Sequence, residues 1–128
     1  MVFGLVGTGV ELLLLSHYED PWQLVPLGLI ATGLAVLAWD AARSSATTKR
    51  IVRITMVLFV LSGGLGTVLH YRGNLEFQLE IDASQSRWDL FRKVMRAKAP
   101  PALAPGVMTQ LGLLGLIYTI GASHESQE

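Results

Sequence analysis

Long apolar segments separated by short polar ones dominate the pattern of this chain. Four segments consist almost entirely of apolar residues, at positions 2–18, 22–39, 51–70 and 103–122. A helix that crosses a bilayer needs roughly 20 such residues. The second and fourth segments carry no charge, so they lack the polar face that helices of a soluble bundle show. The pattern predicts an all-α membrane protein, with four transmembrane helices in a compact bundle.

Small residues recur at helical spacing inside these segments. Ser62 and Gly66 form one small-xxx-small pair, and Gly63 and Thr67 form another. Such pairs let membrane helices approach closely, because lipid provides no hydrophobic drive for association. The pairs predict tight helix packing rather than a wide pore.

The longest polar segment, residues 71–101, is expected to have structure of its own. Residues 74–82 alternate strictly between polar and apolar side chains, which is typical of a half-buried strand. A lone strand leaves its backbone N–H and C=O groups unpaired. We therefore expect strand addition by a partner protein or by a second copy of this chain. The alternative is irregular extended backbone in the headgroup region that is bonded to water.

A short helix is expected after the strand. Ser86 and Asp89 have the spacing of a capping box. Residues 87–98 then show one apolar and one basic face, which suits either the membrane interface or packing over the bundle end. The residues expected at an interface are Trp88, Phe91, Arg92, Met95 and Arg96.

Composition agrees with a membrane location. The chain is 51% hydrophobic and only 16% charged, and its mean hydropathy is +0.44, whereas soluble domains are about 25% charged. Basic and acidic residues balance at 10 each, so nothing indicates a nucleic-acid partner. The absence of cysteine excludes disulfides and thiolate metal sites. We expect a single domain over residues 1–128 in a cell (plasma) membrane, with its orientation left open by the loop charges.

Two His-Tyr pairs form the candidate site. His17 and His70 end the first and third apolar segments, so four spans would bring them to the same membrane face. Imidazole together with carboxylate suits a transition metal, and heme between the two histidines is a narrower alternative. The competing interpretation is that these are ordinary helix-end residues at headgroup level. The candidate metal ligands are His17, Glu19, His70 and Glu76.

Glu11 is the one acidic residue inside the first apolar segment. A carboxylate at that depth costs several kcal/mol unless it is neutral or paired. Because Gly4, Gly7 and Thr8 share its helical face, we expect it to be buried against another helix. It would then either bond across the interface, to Thr67 or Gln110, or relay protons.

Three functions follow from these features. The chain has no Walker loop, no dinucleotide-binding glycine motif and no nucleophile elbow. We therefore favour an accessory or scaffold membrane protein that contacts partner subunits through residues 74–98. The alternatives are a metal-binding or redox membrane protein and a proton-coupled transporter that uses Glu11.

Overall fold

The computed structural model describes the backbone of residues 1–98 and 100–125. All regular secondary structure in this part of the chain is helical, with no strand. Its five helices are α1 (Val2–Leu14), α2 (Pro21–Ala42), α3 (Ala46–Ile81), α4 (Arg87–Met95) and α5 (Ala104–Glu125).

Three of the described helices are long and apolar enough to cross a membrane, which identifies a membrane protein: Pro21–Ala42, Ala46–Ile81 and, within α5, Ala104–Gly121. The prediction of four spans is wrong at the first segment. Helix α1 has 13 residues and is about 20 Å long, too short for a hydrocarbon core of about 30 Å. It ends at Leu14 because Ser16 adopts the left-handed conformation, which cannot continue the helix, and the chain then turns toward α2.

The predicted strand at residues 74–82 is also wrong, because α3 continues through Ile81. The alternating segment contains Leu75 and Leu79, and Phe77 and Ile81, at the i, i+4 spacing of a helix. Extending an existing helix avoids the cost of nucleation and pairs every backbone group within the segment. With 36 residues and a length of about 54 Å, α3 is much longer than a hydrocarbon core of about 30 Å. Its C-terminal part forms an extension past the apolar segment 51–70.

Helix α4 folds back along this extension of α3. The Ser86 side chain accepts a hydrogen bond from the Asp89 backbone N–H, which is the N-terminal cap predicted from their spacing. Val94 is completely buried, and the Asn74 side chain donates to its carbonyl oxygen over 3.5 Å. We call residues 72–98 the cap, because they lie beyond the apolar part of α3 at this end of the bundle.

Helices α3 and α5 pack closely through glycines. A Cβ atom at Gly63 would collide with Thr109 and with the Pro105 carbonyl oxygen. A Cβ atom at Gly112 would collide with the Met56 carbonyl oxygen and the Val60 side chain and backbone nitrogen. The tight packing predicted from the small residues is confirmed at this interface. The core beside it is formed by α3 residues Val52, Met56 and Phe59, which are fully buried.

Candidate functional site

His17 and His70 meet at the cap end of the bundle. Their ring centroids lie 6.1 Å apart, and the ring planes differ by 15°, so the imidazoles are stacked. The sequence predicted a shared membrane face for the two histidines from a count of four spans, and it did not predict their contact. The structure shows that contact although α1 is too short to cross the membrane.

The end of α1 fixes the backbone of His17. Ser16 adopts the left-handed conformation, with φ 53°. The His17 N–H donates to the Leu12 carbonyl over 2.9 Å, and the Ser16 N–H donates to the Leu13 carbonyl over 3.1 Å. These two bonds form a Schellman motif, the common way to close a helix C-terminus. His17 is therefore the second residue past the helix end, where the chain reverses toward α2.

The start of α2 holds the other side of this corner. The Asp20 carboxylate accepts from the Trp22 N–H over 2.8 Å. The Gln23 side-chain oxygen accepts from the N–H groups of Glu19 and Asp20. Asp20 and Gln23 thus form a capping box that leaves few free backbone groups in the turn. Backbone hydrogen bonds therefore hold the corner on both sides of His17, whose ring stacks on His70 of α3.

His70 lies on one face of α3, in a stripe of residues that are spaced four positions apart. Ser62, Gly66, His70 and Asn74 line the same cavity, as expected for residues on one helical face. The stripe covers about 18 Å of the helix axis at 1.5 Å per residue. Gly66 packs against Pro105 of α5, so the cavity lies where α3 approaches the start of α5.

This space, which we call the histidine cavity, has a volume of about 380 Å³. Its outer end, at the cap, carries the polar side chains. Its inner part is lined mainly by apolar residues of α1, α2, α3 and α5. The lining includes His17, Asp20, Gln23, His70 and Asn74 at the outer end and Leu12, Val25, Pro26, Leu65 and Met108 further in.

The environment of His17 favours its neutral form. Desolvation by burial lowers the pKa of His17 below its usual 6.5, and the neighbouring His70 lowers that pKa further. A neutral imidazole can donate one hydrogen bond and accept another, or bind a metal ion through a ring nitrogen.

The other two predicted metal ligands are not part of the cavity. Asp20 lines it together with the two histidines, whereas Glu19 and Glu76 do not. Within residues 1–98 and 100–125, no group of three or more histidine and acidic side chains could hold a metal ion. Of the four predicted metal ligands, the structure therefore brings together only His17 and His70.

Glu11 lies on the outer surface of α1 rather than against another helix. Its neighbours Leu12 and Thr8 are buried, so the packed face of α1 is rotated away from the carboxylate. The proposed partner Thr67 donates its hydroxyl to the Gly63 carbonyl of its own helix.

The predicted interface residues are mostly exposed on the cap. Trp88 is 66% exposed and Phe91 41%, and their rings stack with centroids 5.7 Å apart. Arg92 and Arg96 are exposed, while Met95 is half-buried. Arg92 and Arg96 also line a second depression, which we call the basic groove. It has a volume of about 390 Å³ and is lined by Gln78, Asp89, Arg92, Lys93, Arg96 and Ala97.

Sequence reasoning missed a polar cluster at the opposite end of the bundle. Asp40 is 1% exposed and accepts from Thr48 over 2.6 Å, from Lys49 over 2.5 Å and from Tyr118 over 2.7 Å. This cluster, the Asp40 clasp, connects α2, α3 and α5. Asp40 stands immediately after the second apolar segment, where a solvated loop residue is the ordinary expectation.

No protein-family model, curated protein or solved structure matches this chain.

Proposed function

We propose that this chain is a small integral membrane accessory protein that binds an amphipathic molecule from the bilayer in the histidine cavity. The observation that carries the proposal is an apolar cavity of about 380 Å³ with two stacked histidines at its polar end. Small-molecule sites are usually clefts of about 300–1,000 Å³, lined by apolar side chains with a few polar groups that fix orientation. The cell (plasma) membrane is its proposed location.

The distribution of polar groups supports an amphipathic ligand. His17, His70 and Gln23 lie at the cap end, whereas Leu65 and Met108 line the deeper part. A polar head can hydrogen-bond to the imidazoles, and an apolar tail can follow the α3 stripe inward from His70 to Ser62 for about 12 Å. A wholly polar solute would leave the deeper apolar wall in contact with water or with unpaired polar groups.

The walls of the cavity support entry from the bilayer. Val25, Leu65 and Leu69 line it and are also 43%, 50% and 45% exposed at the surface of the bundle. All three belong to the helices that are apolar enough to cross the membrane. The cavity therefore opens toward the side of the bundle that lipid covers, beside the end of the short helix α1.

Native mass spectrometry of the detergent-purified full chain tests this function. We expect an amphipathic molecule to remain bound to the wild type and to be lost from the variant Ser62→Leu/Gly73→Leu. Both residues line the cavity, and a Cβ atom at Gly73 meets no other atom within 4 Å, so the added side chain fills space rather than causing a clash.

Gly64→Leu is the matched control, because Gly64 is also open and does not line the cavity. It should retain the ligand. The proposal fails if neither native membranes nor added lipids give a bound molecule, or if the cavity-filling variant retains it as well as Gly64→Leu does.

A metal ion at the histidine pair is the second candidate function. Two imidazoles on one ion, with bonds of about 2.0–2.1 Å, have ring centres roughly 5–6 Å apart. The 6.1 Å between the ring centroids is close to this separation. Because the rings are stacked, they would have to rotate before a nitrogen of each could bind the same ion. Water or a bound ligand would have to complete the coordination.

Titration of the purified protein with Zn²⁺, Cu²⁺ and Ni²⁺ tests this second candidate. Uptake of about one ion, lost in His17→Ala and in His70→Ala, would support it. An absence of uptake in the wild type would remove it.

The accessory role predicted for residues 74–98 can no longer rest on strand addition. The exposed Trp88–Phe91 stack is the surface that we propose for a protein partner, since aromatic side chains are enriched at interfaces. We do not propose proton transport, because Glu11 is exposed and does not line the cavity.

A further inference from the structure

The basic groove begins one helical turn beyond the histidine cavity on the same stripe of α3. Asn74 lines the cavity, and Gln78, four residues later, lines the groove. These two positions are about 6 Å apart along the helix axis. The two depressions are therefore neighbours in the direction that leads out of the bilayer.

The charge of the groove is positive. Arg92, Lys93 and Arg96 line it together with a single acidic residue, Asp89. The Asp89 carboxylate accepts a hydrogen bond from the Ser86 hydroxyl over 2.7 Å at the start of α4. In the part of the chain that the structure describes, neither Arg92 nor Arg96 forms an ion pair.

The groove lies beyond the apolar part of α3, the helix that contributes Gln78 to its lining. The hydrogen bond from Asn74 to Val94 places the C-terminal end of α4 beside the first turn of the α3 extension. Arg96 follows Val94 by two residues, so it lies at the membrane-near end of the cap. The headgroup layers add about 5–7 Å on each side of the hydrocarbon core, and an arginine side chain here can reach a lipid phosphate.

We infer that the ligand of the histidine cavity is an anionic phospholipid whose phosphate binds in the basic groove. This inference rests on the proposed function, because the apolar chain of the lipid occupies the cavity. Guanidinium groups bind phosphate oxygens through paired, charge-assisted hydrogen bonds, and arginine keeps its charge at all relevant pH values. The lipid backbone spans the single turn between Asn74 and Gln78.

Native mass spectrometry with lipids of defined composition tests the inference. The detergent-purified full chain is titrated with dioleoyl phosphatidylglycerol and, separately, with dioleoyl phosphatidylcholine. We expect the wild type to bind the phosphatidylglycerol about tenfold more tightly, as one or two charge-assisted hydrogen bonds would give. In Arg92→Gln/Arg96→Gln this preference should disappear. Phosphatidylglycerol should lose more affinity than phosphatidylcholine, whose phosphate charge is balanced by its own choline cation.

Arg72→Gln/Arg87→Gln is the matched control, since both arginines are exposed in the cap and neither lines the groove. It should keep the preference. Equal affinity of the wild type for the two lipids overturns the inference, and so does an equal loss in both double variants, which would show a diffuse charge effect. Full competition by soluble glycerol 3-phosphate also overturns it, because the groove would then bind a free anion.

The cavity-filling variant separates this inference from the proposed function. Ser62→Leu/Gly73→Leu should weaken the binding of both lipids. If it changes neither, the histidine cavity is not the binding site and the proposed function itself fails. If it weakens both while the wild type shows no preference for the anionic lipid, only the assignment of the phosphate to the groove fails.

Discussion

The position of His17 depends on backbone hydrogen bonds more than on its own side-chain contacts. Its N–H closes the Schellman motif of α1, and the Asp20–Gln23 capping box holds the next residues of the turn. The short corner therefore specifies where the imidazole lies, and His70 needs only the regular geometry of α3 to meet it. Ser16 in the left-handed conformation is the residue of this corner that a sequence pattern does not reveal, because glycine is the usual occupant.

The histidine pair makes the folded protein sensitive to acid. The pKa of His17 lies below its usual 6.5 in the folded chain, through burial first and His70 second. The unfolded chain then binds more protons, so stability falls as the pH drops through about 6.5 and levels off below the folded-state pKa. Thermal unfolding in detergent from pH 7.5 to 5 should show this loss.

Two variants check the assignment to His17. His17→Gln should unfold with a smaller pH dependence than the wild type over this interval. His70→Gln should retain part of the dependence, because burial of His17, the larger cause, remains. An unchanged pH profile in His17→Gln would contradict the assignment.

At the scale of single elements, the outcome at residues 74–82 shows when an alternating pattern is ambiguous. A two-residue period also repeats every four residues, so the same side chains can form stripes on a helix. The segment directly follows α3, has no partner strand within the described residues, and is rich in leucine and glutamate, which favour helices. A lone strand leaves its backbone N–H and C=O groups unpaired, whereas a continuous helix pairs them within the segment. Backbone hydrogen bonding therefore favours the helix.

The contact between α3 and α5 predicts a sharp difference between neighbouring glycines. Gly63→Ala places a methyl group against Thr109 and the Pro105 carbonyl, whereas Gly64→Ala meets no atom within 4 Å. Overpacking of this kind costs about 1–3 kcal/mol. We expect Gly63→Ala to lower the melting temperature in detergent clearly.

Gly64→Ala should leave stability unchanged or slightly higher, because alanine is the better helix former. Both variants make the same chemical change one residue apart, so the comparison isolates the helix contact. Equal effects of the two substitutions would show that the close approach of α3 to α5 does not limit stability.

At the scale of the whole molecule, the sequence predicts the arrangement of distant segments only where a feature recurs along the chain. The three long apolar helices follow from the length of the apolar segments. The contact of His17 with His70 does not follow, because the argument that brought both to one face counted α1 as a span. The histidine cavity does not, because it depends on how four helices pack. The Asp40 clasp joins Asp40, Thr48, Lys49 and Tyr118, the last of them 78 positions after Asp40, and no spacing rule connects such positions.

The clasp should be essential for holding α2, α3 and α5 together at the end opposite the cap. Lys49→Met leaves the buried Asp40 carboxylate without its cation, and removing one partner of a buried ion pair costs about 3–5 kcal/mol. The Lys49 side chain is 18% exposed, so we expect a loss near the lower limit, measured as reduced resistance to chemical unfolding in detergent.

Arg50→Met, which removes an exposed charge from the adjacent position, should change stability little. Adding Asp40→Leu to Lys49→Met should recover much of the loss, since no unpaired carboxylate then remains. A Lys49→Met protein as stable as Arg50→Met would mean that the ion pair does not connect the three helices.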